Sequence, residues 1–333
     1  MAYPGTYRLP PIVERIANDR ARPFASRESV LSIGKCEVRK LTWHSRSYSL
    51  ASQWEQTPGP SAALYKETKR QMMKWISDRS VSTFAVQQEN PQRPYKRGET
   101  IPNAFGYGEN PFAQLLQHEG VQVGIYDVPA DFRFHRFYAP FTTSGAIVLR
   151  VERDGWVFCH GGSVLFAFRT LDPARWGKPQ EGCDVLWCDA RRGGWILETS
   201  EAAPYAGGGP TNELTRFASD VARKARIDAS GMAATPPRLR YVSAGGRALD
   251  ITHVPHGTAW RDQHRIDGVP VDYRAYPLMG NPWVYQAAGS PTLILQQGGV
   301  RRTYDFSAWQ VSEAPAPPVA SAASAAPPKE KAP

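Results

Sequence analysis

Between Asn103 and Thr170 apolar and polar residues alternate along the chain. A period of two is the mark of strands buried on one face. Four runs carry the pattern: Ala113–His118, Val121–Val128, Gly145–Glu152 and Trp156–Phe168, the last interrupted at Gly161-Gly162. His118-Glu119-Gly120, Val128-Pro129-Ala130-Asp131 and Arg153-Asp154-Gly155 separate them and have turn chemistry. Upstream, Leu31–Leu41, Trp43–Trp54, Gln71–Ser77 and Thr83–Gln87 read as further strands. Downstream come Asp184–Cys188 and Gly194–Thr199, then Leu239–Ser243, Ala248–Thr252, Pro270–Tyr273, Thr292–Leu295 and Arg301–Phe306. Gln56–Ala63 and Glu89–Asn103 read as loops, and Ala244-Gly245-Gly246 and Ile266-Asp267-Gly268 as turns.

Helical spacing occurs twice. Leu9–Asn18 has Ile12, Ile16 and Ala17 on one side and leads into a basic linker. After Gly207-Gly208-Gly209-Pro210, Leu214, Phe217 and Val221 form an apolar stripe. Thr211 or Asn212 is the expected cap there, with Arg223, Lys224 and Arg226 at the negative C-terminal end. The implied fold class is all-β: a large antiparallel β-sandwich with one inserted helix and a short N-terminal helix. The expected divisions are residues 1–29 (helix and linker), 30–309 (the sandwich) and 310–333 (an Ala/Pro-rich disordered tail).

In Trp43–Trp54, His44, Arg46, Tyr48, Leu50 and Trp54 share one face, and Ser45, Ser47, Ser49 and Ala51 the other. The small face is expected to lie against another layer and the large polar-aromatic face to line a groove. A net charge of +9 and a pI near 9.4 favour anionic partners. The charge is spread along the chain, so nucleic acid is not the expected partner. No apolar run is long enough to span a bilayer, and no membrane partner is expected. The first residues lack a signal-peptide core, so the chain is expected to stay in the cytoplasm unless a secretion signal lies upstream. The four cysteines, Cys36, Cys159, Cys183 and Cys188, form no CxxC pair and are expected to be reduced thiols. No metal or other cofactor is expected. The triple glycine lacks the Gly-Lys-Ser/Thr of a phosphate loop.

Several segments, taken in order, resemble a known family. They are Trp43-His44-Ser45-Arg46-Ser47-Tyr48-Ser49-Leu50-Ala51-Ser52, Gln117-His118 and Tyr126-Asp127-Val128-Pro129, then Gly155-Trp156-Val157-Phe158, Gly194-Trp195-Ile196-Leu197-Glu198 and Asn281-Pro282-Trp283-Val284. The order resembles the C-terminal super-sandwich half of heparinase II/III-like polysaccharide lyases. The resemblance covers roughly Leu9 to Trp309. It implies a missing N-terminal α/α toroid as a separate or upstream partner, with Leu9–Asn18 as its last helix. The dense His-x-His-x-Asp segment of the family's zinc-containing members is not present.

Uronate lyases need an acid and a base and a group that neutralises the carboxylate. On that chemistry Tyr48, His118 and His160 are the catalytic candidates. His44, Arg46, Gln117, Trp187, Trp195, Arg191 and Arg192 are the candidates for binding an acidic polysaccharide. Two alternatives stand beside β-elimination: a non-catalytic carbohydrate-binding or scaffold domain, and a glycoside hydrolase using Glu198 with Glu201 or Asp184 with Asp189.

Overall fold

Where the residues alternate the chain is extended, and it reverses at the positions with turn chemistry. Asp154 and Gly155 both have positive φ, 51° and 77°, as do Asp267 and Gly268, 52° and 79°. Two consecutive left-handed residues match the twist of a tight hairpin. The computed structural model describes residues 22–31, 37–56, 69–76, 81–88, 112–132, 135–143, 146–177, 182–254 and 263–317. The expected helix over Leu9–Asn18, both expected loops except Gln56, Cys36 and the expected tail beyond residue 317 lie outside the described residues.

In chain order the first strands are β1 (Phe24–Leu31), β2 (Glu37–His44), β3 (Tyr48–Gln56), β4 (Lys69–Ile76), β5 (Val81–Phe84) and β6 (Gln87–Gln88). The middle of the chain forms β7 (Ala113–His118), β8 (Val121–Asp127), β9 (Phe137–Thr142), β10 (Leu149–Arg153), β11 (Trp156–His160), β12 (Val164–Thr170), β13 (Ala174–Trp176), β14 (Cys183–Cys188) and β15 (Arg192–Glu201). Helix α1 (Gly209–Lys224) comes next, then β16 (Arg226–Asp228), β17 (Arg238–Val242), β18 (Ala248–Thr252), β19 (Arg265–Ile266) and β20 (Val269–Pro270). The last are β21 (Met279–Gly280), β22 (Val284–Gln286), β23 (Thr292–Gln297), β24 (Val300–Asp305) and β25 (Gln310–Pro315).

Among the described residues all the pairings are antiparallel and build four sheets. A ten-stranded sheet runs β25-β24-β23-β22-β21-β1-β2-β3-β4-β5. A six-stranded central sheet runs β10-β11-β12-β15-β8-β7, a four-stranded one β13-β14-β9-β6 and a five-stranded one β16-β17-β18-β19-β20. An all-β sandwich, with α1 the one long helix among the described residues, is therefore the observed architecture.

The central sheet has two buried faces. On one, Leu115, Tyr126, Val157, Phe166, Trp195 and Leu197 pack against Leu50, Trp54, Met73, Trp75 and Phe141 of the ten- and four-stranded sheets. On the other, Leu116, Val123, Phe158, Leu165 and Ile196 pack against Leu214, Phe217 and Val221 of α1 and Leu239, Tyr241 and Ile251 of the five-stranded sheet. Alternation along each strand assigns odd and even residues to opposite cores.

Three details depart from the sequence reading. Helix α1 begins at Gly209 with left-handed Gly208 as its cap and no side-chain cap, while Asn212 Nδ2 donates back to the Gly208 carbonyl at 2.8 Å. Strand β9 is not among the expected strands, because Pro140 interrupts its pattern; Pro140 lies past the two-residue ladder to β6, so its missing N–H breaks no bond there. The expected tail from residue 310 begins instead with β25, which pairs with β24 from Gln310 opposite Asp305 to Pro315 opposite Val300.

Candidate functional site

Strand β3 turns inward the face expected to line a groove. Tyr48, Leu50, Ser52 and Trp54 are 6%, 0%, 1% and 0% exposed, while Ser49, Ala51 and Gln53 face outward, half-buried. The reason is area: burying Leu, Tyr and Trp side chains is worth about 1.5–3 kcal/mol each, far more than burying serines. Chain reversal at Ser45-Arg46-Ser47 also splits the expected single strand in two. Ser45 Oγ donates to Glu201 Oε1, which also accepts the Arg46 backbone N–H at 2.7 Å. The Arg46 side chain is exposed. His44 stacks on Phe24, with ring centroids 4.6 Å apart, and shares a 3.0 Å hydrogen bond with Ser49.

Between the layers, Gln117 is 2% exposed and wholly engaged. It accepts the Ser52 hydroxyl at 2.5 Å and donates to the carbonyls of Leu50 and Glu119 at 2.9 and 3.1 Å. Gln122 donates to the same Ser52 oxygen. This network fastens β3 to the β7–β8 hairpin, so Gln117 is a structural residue. The Tyr48 phenol lies next to it, beside Gly120 and Thr199, and burial pushes its pKa up to about 12.

His118 and His160 lie on the far side of the central sheet from Tyr48. His118 is next in the strand to Gln117, so it points toward the five-stranded sheet, among Glu119, Arg247 and Asp267, and burial lowers its pKa. His160 is 2% exposed; its Nε2 lies 2.8 Å from Glu213 Oε2 of α1, and its Nδ1 accepts the Gly162 N–H at 3.1 Å. The structure therefore does not assemble Tyr48 with either histidine. Glu198, on the same far face, is 5% exposed, accepts the Tyr241 hydroxyl and the Ala244 N–H, and has its pKa raised by burial. Glu201, the other half of that carboxylate pair, points the opposite way to Ser45. Asp184 and Asp189 are held by Arg150 at 2.7 Å and Arg175 at 2.9 Å.

The arginine turn is also committed. Arg191 donates to the carbonyls of Pro129 and Phe132, both at 2.8 Å. Arg192 forks onto Asp127 at 3.1 and 2.9 Å and reaches the carbonyls of Ala233 and Ala234. Trp195 is 1% exposed and lies against Gly124, so it is core rather than a sugar platform. Its Nε1 has no hydrogen-bond partner among the described residues. It lines a small cavity with Phe137, Phe168, Leu186, Cys188 and Tyr126, whose hydroxyl lies 3.1 Å from Cys188 Sγ.

Trp187 differs from all of these. Alternation in β14 places Leu186 and Cys188 in the main core and Trp187, half-buried, on the opposite face, where it packs on a small cluster of Tyr138, Cys183 and Val185. Its ring packs on Tyr138, centroids 4.9 Å apart, and the Arg136 guanidinium lies 4.8 Å over it. Register puts exposed Arg175 directly opposite Trp187 on the same face. Sequence reasoning names Trp187 but not Arg136 or Arg175, because only strand pairing brings them together.

Among the described residues no group of three or more His, Cys, Asp or Glu is placed to hold a metal, and no helix is long and apolar enough to cross a membrane. Cys159, Cys183 and Cys188 are free and buried. These features define a layered all-β sandwich protein into which helix α1 is inserted. No protein-family model matches the sequence, and a search of curated proteins finds no match to it.

Proposed function

We propose that this chain is a non-catalytic binding module for an acidic polysaccharide, with Trp187 and its two arginines as the contact surface. The observation that carries the reading is the Arg136 guanidinium layered 4.8 Å over the Trp187 ring; Arg175, opposite in the ladder, is an exposed cation that a polymer carboxylate would share with Asp189. An arginine layered on an aromatic ring suits a polymer bearing carboxylates: the indole holds one face of the guanidinium, and its N–H fork takes the carboxylate. The net charge of +9 favours the same ligand. Catalysis by β-elimination draws no support from the separated positions of Tyr48, His118 and His160.

The test is affinity electrophoresis or calorimetry with a uronate polymer and a neutral glucan, at low and high salt. Binding to the uronate polymer alone, weakened by salt and by Trp187→Ala or Arg136→Ala, is the expected result. Equal binding to both polymers, or binding unaffected by either variant, overturns the assignment. The same mixtures read at 235 nm give the lyase outcome: growing absorbance there would replace a binding module with an enzyme.

A further inference from the structure

The last four strands, β22 to β25, extend the ten-stranded sheet beyond the sandwich, and no residue from 277 to 317 is buried. None of them belongs to a hydrophobic cluster among the described residues. Yet the meander is amphipathic. Register aligns Val284 with Leu295, Leu295 with Arg302 and Arg302 with Glu313 on one face, and Leu293 with Tyr304 and Tyr304 with Val311 beside them. The opposite face carries Thr292, Gln296, Arg301, Thr303 and Ser312, with Tyr285 and Ile294.

The apolar face is on the wrong side to join the protein's own core. Gln286, on that face with Val284, pairs with Met279, Met279 with Glu28, and Glu28 with Lys40. Lys40 is adjacent to Leu41, so it points away from the core that Leu41 and Trp43 enter. A sheet with one apolar face must bury it against another element.

We infer that this face binds a second copy of the chain, with the two meanders packed face to face about a twofold axis. Within β22–β25 the only charges on this face among the described residues are Arg302 and Glu313, paired 2.6 Å apart on adjacent strands. A twofold axis parallel to the strands and between β24 and β25 sets Arg302 of each copy over Glu313 of the other. The same operation sets Tyr304 over Val311 and closes a ring of four alternating charges, a self-complementary pattern of the kind an isologous contact requires. It also brings the two β24–β25 turns side by side. Those turns carry Phe306, 45% exposed, and Trp309, 87% exposed with φ 53°. Strand spacing of about 4.8 Å and a rise near 3.3 Å per residue make the shared patch only a few hundred Å². Standard interfaces bury about 800 Å² per partner, so the dimer is a dissociable one.

Sedimentation velocity over a concentration series tests this. The mass should rise from one chain toward two with concentration. Val311→Lys and Trp309→Ala should each weaken association roughly tenfold or more, and neither touches the core. Ser312→Lys, on the other face of the same strand, should leave it unchanged. Arg302→Glu should weaken it, and adding Glu313→Arg to that variant should restore it. A single-chain mass throughout overturns the inference. Hydrophobic-dye binding that Val311→Lys abolishes would then point to a different partner, and no dye binding to a cover from the same chain. Equal effects of Val311→Lys and Ser312→Lys would also overturn it, since they would indicate edge-to-edge strand pairing.

Discussion

His160 donates its Nε2–H to Glu213 Oε2 across 2.8 Å, and the opposite ring nitrogen accepts the Gly162 N–H. Two bonds from different elements fix one tautomer of a buried imidazole and join α1 to the β11–β12 turn. The hydrogen bond from His160 holds the Glu213 carboxyl below its usual range. Glu213→Ala leaves a buried N–H without its partner and should cost about 1–3 kcal/mol in urea unfolding. Glu213→Gln keeps an acceptor and should cost less. Because the folded-state pKa is depressed, the hydrogen bond's contribution is present above the ordinary glutamate pKa and lost as pH falls through the folded value. Equal losses from the two variants would show that the acceptor is not what matters.

Glu198 gives the opposite pH dependence. Burial raises its pKa, against the hydrogen bonds from Tyr241 and Ala244 that favour the carboxylate. Its folded form therefore holds the proton more tightly than the unfolded chain. The related stability is present below the ordinary glutamate pKa and falls as pH rises through the window up to the folded value. Glu198→Gln should remove that decline, so thermal melts of the variant should gain on the wild type with rising pH over this window. A difference that is constant with pH would contradict the assignment.

Gly124 is needed for contact rather than for backbone freedom. A Cβ there would come within 2.3 Å of the Trp195 ring. Gly124→Ala should destabilise by about 1–3 kcal/mol, the range for overpacking a filled core. Adding Trp195→Leu should recover part of the loss relative to Trp195→Leu alone, measured as a double-mutant cycle. Additive effects would mean that the ring does not oppose the new methyl group.

Tyr48→Phe separates a structural phenol from a catalytic one. The hydroxyl lies between layers, and its pKa is pushed up to about 12 by burial. The variant should lose about 0.5–1.5 kcal/mol of stability and bind a uronate polymer as the wild type does. Normal stability with reduced binding or reduced absorbance growth at 235 nm would place the hydroxyl at substrate.

Much of the strand inventory is legible in the sequence because alternation is local. Ala113–His118 forms β7 with the boundaries its pattern gives, and Gly161-Gly162 separates β11 from β12 where the run breaks. The stripe Leu214, Phe217 and Val221 is the buried side of α1. Strand β25 is hidden because Ala and Pro dominate the residues C-terminal to it, and its hydrogen bonds to β24 do not need apolar side chains.

Pattern also determines which residues of a strand share a face, but not which face turns inward or what it meets. Tyr48, Leu50 and Trp54 do share a face, yet they fill a core instead of a groove, because aromatic and aliphatic area outweighs the small residues opposite. Gln117 and His118 are neighbours in sequence and project into different layers, one toward Ser52 and the other toward Asp267. Arg136, Arg175 and Trp187 come from three separate segments and meet only through the β13–β14–β9 ladder. Strand pairing joins residues far apart in the chain, and its free energy comes from area buried between layers, so no local pattern carries that information.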